Sequence, residues 1–150
     1  MNSKLIGLIT SVICSVSHAF FTPYELIAAA SCSHHLNPSF YNQEFRSQYG
    51  PPIKHEGEAL WFRANGELYG SQIREVFVST SREYHFVGIV LEDTPPIIIE
   101  RIKKSRVIPT QIFDVGTQGW IGADNRQIMW HAGKYTKIFC MSGYMRSIER

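Results

Sequence analysis

Glu58-Ala-Leu-Trp-Phe-Arg-Ala64, then Asn65-Gly66, then Glu67-Leu-Tyr-Gly70 place two strand-like runs on either side of an Asn-Gly pair. Asn and Gly tolerate the positive φ that both central positions of a two-residue type I′ turn demand. The pair predicts a hairpin in which Ala64 faces Glu67, Arg63 faces Leu68 and Phe62 faces Tyr69, an aromatic pair across the strands. Gln72-Ile-Arg-Glu-Val-Phe-Val-Ser79 and Tyr84-His-Phe-Val-Gly-Ile-Val-Leu91 follow, separated by the polar turn Thr80-Ser-Arg-Glu83. From Phe86 onward the last run is apolar on both alternating faces, the pattern of a central strand covered on both sides. Residues 58–92 therefore read as an antiparallel meander on which the rest of the chain packs.

On the N-terminal side, Thr22-Pro-Tyr-Glu25 is a capping box with proline at the first helical position, and Leu26 to Ala30 extends a helix that should end near Cys32. Asn37-Pro38 starts a second helix. Phe40, Tyr41, Phe45 and Tyr49 recur at near-helical spacing until Gly50-Pro-Pro stops it. On the C-terminal side, Thr94-Pro-Pro-Ile-Ile-Ile-Glu-Arg-Ile-Lys-Lys-Ser105 has a cap, prolines confined to the first turn, and Ile98 and Ile102 on one stripe. Three consecutive isoleucines would suit a strand. The proline pair and the basic end decide for a helix.

Val107 to Val115 reads as a connection containing a short strand. The run from Gly119 to Trp130 reads as a second hairpin through Asp124-Asn125-Arg126. A three-residue loop there pairs Trp120 with Trp130, and a two-residue loop pairs Trp120 with Met129. Tyr135 to Cys140 is the closing strand, and Met141 to Arg150 reads as a tail. The expected class is α+β: a meander over 58–92, a C-terminal hairpin and a closing strand, with N-terminal helices and one mid-chain helix packed on the sheet.

The chain's opening carries a compartment signal. Lys4, the apolar run Leu5 to Cys14 and the small residues of Ser17-His18-Ala19 form the three parts of a secretory leader over residues 1–19, with cleavage near Ala19. The apolar run is too short to span a bilayer, and no other stretch reaches transmembrane length. Cleavage leaves residues 20–150 as a single domain with room for a core. The expected location is the periplasm or the extracellular space. There Cys32 and Cys140, the two cysteines left after Cys14 departs, should form a disulfide. Closing a loop of about 100 residues is worth roughly 4.7 kcal/mol in the chain-entropy model.

Charge excludes one class of partner. Fifteen basic against thirteen acidic residues give a net charge of +2, scattered except for Lys103-Lys104-Ser105-Arg106. A nucleic-acid footprint needs a basic face, and the sequence has none. His34, His35 and His55 near Glu56 and Glu58 offer zinc-ligand chemistry, but the spacing fits no standard site, so no metal and no cofactor is expected. Glu56 and Glu58 lie two apart and would share a face of a strand. With a histidine they make a candidate hydrolase pair. Nucleophile elbows, phosphate loops and zinc-protease motifs are missing from the sequence.

The aromatic content points to binding. Trp120 and Trp130 lie on the second hairpin beside His131 and Tyr135, and these four are the candidate binding residues. Flat rings with polar tips suit surfaces that meet a partner. The leading expectation is a non-enzymatic exported binding protein, inhibitor-like or accessory, meeting a protein or an envelope glycan through that hairpin. The alternatives are an envelope hydrolase using Glu56, Glu58 and a histidine, or a carrier holding an apolar ligand between sheet and helices.

Overall fold

Asn37 caps a helix. Its side-chain oxygen accepts the Phe40 N–H at 3.2 Å, Pro38 occupies the first turn, and helix α1 runs Pro38–Tyr49 to the stop at Gly50. The structure is a computed structural model that describes Leu26, Cys32 and residues 36–105 and 111–142. The expected leader, most of the expected first helix, His34, His35 and residues 143–150 of the expected tail lie outside the described residues, while Met141 and Ser142 of that tail extend the closing strand.

Strands β1 (Lys54–Glu56), β2 (Ala59–Arg63), β3 (Glu67–Leu68), β4 (Ser71–Ser79) and β5 (His85–Leu91) precede helix α2 (Pro95–Lys104). Strands β6 (Ile112–Asp114), β7 (Trp120–Gly122), β8 (Gln127–His131) and β9 (Tyr135–Ser142) follow, with one 3-10 turn at Gly116–Gln118. All pairings are antiparallel, in the order β1-β2-β4-β5-β9-β8-β7-β6, with β3 pairing β4. Two meanders thus meet at β5 and β9, and β5 is central as its two apolar faces require. The protein is α+β.

The Asn-Gly pair does not make the hairpin turn. Phe62 pairs with Val76 and Arg63 with Glu75, while Glu67 pairs with Gln72 and Leu68 with Ser71. The chain turns at Tyr69-Gly70, whose φ values of 54° and 68° are both positive as a type I′ turn needs. Asn65-Gly66 instead takes up a one-residue shift in register between the two ladders. The longer ladder wins because it sets Phe62 and Val76 into one core, a gain no local turn preference matches. The same turn geometry recurs at Gly57-Glu58, with φ of 59° and 55°, where β1 pairs with β2. Glu58 therefore sits in a turn and does not share a strand face with Glu56.

The second hairpin also departs from both expected registers, by one residue from the Met129 pairing and by two from the Trp130 pairing. Trp120 pairs with Ile128. The Gly122 N–H donates to Arg126 O at 2.8 Å, so the three loop residues are 123–125. The shift sets Ile128 into the cross-strand row Phe62, Val76, Ile89, Ile138, Ile128, where every side chain is buried. It also buries Arg126, which pairs with Asp124.

Helices α1 and α2 lie side by side on the face that carries this row. Tyr41 and Phe45 of α1, and Ile98, Ile99 and Ile102 of α2, fill it, and the Phe45 and Phe62 rings meet edge-on at 5.6 Å. Leu26 joins the same core, and the Cys32–Cys140 disulfide, bridging 108 positions of sequence, fastens the N-terminal segment to β9. The expected disulfide is present. Arg101 of α2 donates to Asp93 Oδ2 at 2.7 Å and to Gly70 O at 2.8 Å, tying that helix to the tip of the β3–β4 turn.

Candidate functional site

The opposite face of the sheet is built differently. Side chains of one cross-strand row alternate with those of the next, so the row Trp61, Phe77, Gly88, Phe139, Gln127 points away from the helices. Gly88 has a physical reason to be glycine. A Cβ there would stand 2.4 Å from Phe77 Cζ, 2.5 Å from Ile138 O and 2.6 Å from Phe139 Cβ. Both rings lean into the space it leaves, with centroids 6.2 Å apart.

The rings also report the shape of the sheet. Trp61 lies on β2 and His131 on β8, four inter-strand steps apart in the sheet order. In a flat sheet that is about 19 Å. Their ring centroids are 5.6 Å apart and the rings are stacked. The sheet is rolled, and this face is its concave side. Trp61 also stacks on Phe77 at 4.5 Å, and its indole N–H donates to Glu56 O at 3.0 Å. Trp61, Phe77, Phe86, Val90 and Phe139 are thereby buried by one another and by the curvature of the sheet.

A cleft of about 410 Å³ opens onto this cluster, within the range of small-ligand sites. Aromatic walls come from Trp61, Phe77, Tyr84, Phe86 and Phe139, and polar groups from Glu56, His131 and Lys137. Each carboxylate nearby has an assigned role. Lys54 lies 3.3 Å from Glu56 and 3.8 Å from Glu75, and its ammonium also caps the Trp61 ring at 4.5 Å. Glu58 accepts the Tyr84 hydroxyl, and its backbone oxygen accepts the Thr80 N–H at 2.7 Å, so it clasps the cleft wall to the β1–β2 turn.

Lys137 is different. Its Nζ stands 5.3 Å from the Phe139 ring centroid and 6.0 Å from that of Phe77. Among the described residues no carboxylate is within ion-pair distance of it. Burial holds its ammonium below the usual lysine pKa. The pKa of His131 is lowered too, first by burial and next by the Lys137 charge, so its imidazole is neutral near pH 7.

The four residues expected to bind together are divided. His131 lines the concave cleft. Tyr135 packs at the edge of the same cluster, with the Arg74 guanidinium 4.4 Å over its ring. Trp120 packs partly on the helix-side core. Trp130 is 46% exposed, and both tryptophans border a separate hollow of about 470 Å³ beside Gly116 and Thr117. A third hollow, at the start of α1, is lined by Asn37, Ser39, Thr80, Arg82 and His85. His55 hydrogen-bonds Thr80 Oγ1 at 3.1 Å rather than either glutamate of the candidate hydrolase pair. Among the described residues no group of three or more His, Cys, Asp or Glu side chains could hold a metal ion.

Reading the sequence for the site overlooked Trp61, Phe77, Phe139 and Lys137. The available signal was Gly88, a glycine inside an otherwise bulky central strand, which marks close approach by a neighbour. Fold and site together define a rolled antiparallel sheet, backed by helices on its convex side, with a ligand-sized aromatic cleft on its concave side. No family model, curated protein or solved structure matches this chain.

Proposed function

We propose that the mature chain is an exported binding protein that holds a small, largely apolar ligand in the concave cleft. The observation that carries this reading is the convergence of buried aromatic walls with a few polar groups around about 410 Å³ of open space. The Cys32–Cys140 disulfide supports an oxidising compartment. No helix among the described residues is long and apolar enough to cross a membrane. Binding is favoured over hydrolysis because the described lining residues include no Ser, Thr or Cys nucleophile, and Glu56 and Glu58 are engaged by Lys54 and Tyr84. The ligand lies on the face away from the helices, since the space between sheet and helices is filled by side chains.

The test is titration with N-phenylnaphthylamine, an uncharged dye that brightens in apolar sites. One dye should bind per chain and quench Trp61. Met141→Trp, which fills the cleft from an exposed lining position, should abolish binding without changing the melting temperature. Absence of binding, or binding indifferent to Met141→Trp, overturns the reading. A second reading, contact with a protein or glycan through the 120–130 hairpin, is favoured by the exposed Trp130 ring. That contact would survive Met141→Trp.

A further inference from the structure

The concave cleft contains an ammonium that, among the described residues, has no carboxylate within ion-pair distance. Lys54 is shared by Glu56 and Glu75, Arg74 pairs with Glu92 at 2.8 Å, and Arg101 pairs with Asp93 at 2.7 Å. Lys137 lines the cleft with no carboxylate beside it among the described residues, its Nζ facing the Phe77 and Phe139 rings. A lysine needed only for solubility would extend its ammonium into water, as lysines on apolar surfaces commonly do. Here the ammonium is held where aromatic walls exclude part of its water, and the rings return only some of the lost solvation. A half-buried cation in that position is completed by an anion arriving from outside.

We propose that the ligand is an apolar acid: a flat aromatic or acyl body lying against Trp61, Phe77 and Phe139, with one anionic oxygen group paired to Lys137. This rests on the cleft being the binding site, and it adds the ligand's charge and orientation. Charge-assisted hydrogen bonds of this kind are the strong ones, and a low-dielectric wall beside them strengthens them further. Glu56 lies at the same cleft, but Lys54 at 3.3 Å, shared with Glu75, and the exposure of its carboxylate to water weaken its repulsion of an arriving anion. Neutral His131, stacked on Trp61, can donate or accept one further hydrogen bond to the acid without adding charge. Carboxylate, sulfonate and phosphate heads share this chemistry.

The experiment compares two probes of nearly the same shape, anilinonaphthalene sulfonate and uncharged N-phenylnaphthylamine, on the wild type, Lys137→Met, Lys137→Arg and Met141→Trp. The wild type should prefer the anionic dye by about tenfold or more. Lys137→Met should erase that preference while still binding the neutral dye, and Lys137→Arg should retain it. Equal affinity for the two dyes in the wild type, or a preference that survives Lys137→Met, overturns the proposal while leaving the cleft as a site for neutral ligands. If neither dye binds, or Met141→Trp does not block them, the cleft reading itself fails and this inference falls with it. The wild-type preference is a readout by itself, so the result stands even if a lysine variant fails to fold.

Discussion

The two faces of the sheet bury apolar side chains by different means, and the helix-covered face buries far more of them. The convex face is covered by α1 and α2, and its sheet contribution is mainly β-branched: Val76, Val78, Val87, Ile89, Ile128 and Ile138. Such side chains pack closely beneath a helix because they are short and have few rotamers. The concave face uses Trp61, Phe77, Phe86 and Phe139. Rings are long enough to reach one another across a rolled sheet, and they bury each other without a second layer. Beneath the helices the side chains of sheet and helix fill the space between them. A cover made of curvature alone leaves an open end, and that end is the cleft.

This contrast predicts unequal responses to the same truncation. Phe62→Ala removes a ring sealed between the sheet and Phe45, and should cost about 4 kcal/mol in denaturant unfolding. Phe86→Ala, on the cleft wall, widens a space already open to water and should cost roughly half as much, since less of a closed cavity results. Equal losses would mean that the concave cluster is simply a second core.

Gly88→Ala probes how tightly the concave rings are set. The added methyl meets Phe77, Phe139 and the Ile138 carbonyl closer than carbon atoms approach, so the rings must move. The expected loss is about 2 kcal/mol, with a change in Trp61 fluorescence because Phe77 stacks on it. An unchanged emission spectrum would show that the rings have slack.

The smallest effect concerns His131, which faces Lys137, Glu75, Lys54 and Glu56. Its folded pKa lies below the ordinary histidine value of about 6.5, so around and below that pH the unfolded chain binds more protons than the folded one. The contribution is complete above about pH 6.5, declines as pH falls toward the folded pKa, and is constant beneath it. Wild type should therefore lose more stability than His131→Gln between about pH 7.5 and pH 5, read as denaturation midpoints. Equal losses would mean that the imidazole ionises freely and that the cleft is wetter than its walls suggest.

Much of the architecture was legible residue by residue. Asn37-Pro38 and Gly50 bracket α1, the Thr94-Pro-Pro start and basic end delimit α2, and the apolar alternation of β5 places it at the centre of the sheet. Cys32 and Cys140, expected to pair, form the disulfide. Asn65-Gly66 misled because turn preference is local and weak. The Phe62–Val76 register is set by a ladder spanning the whole strand. Trp120 and Trp130 were grouped with His131 because they are near in sequence; the two tryptophans border one hollow, but side chains alternate along β8, so His131 lies on the opposite, concave face.

Composition, caps and alternation determined that this chain makes an antiparallel sheet with helices against it, because those signals act over a few bonds and every turn of helix or pair of strands repeats them. How far the sheet rolls was decided in three dimensions, by contacts such as Trp61 with His131 that join residues seventy positions apart. The cleft, and the half-buried setting of the Lys137 ammonium against its rings, come from that curvature. No stretch of sequence specifies it alone, since it is the sum of the twist of every strand and the bulk of the rings on one face.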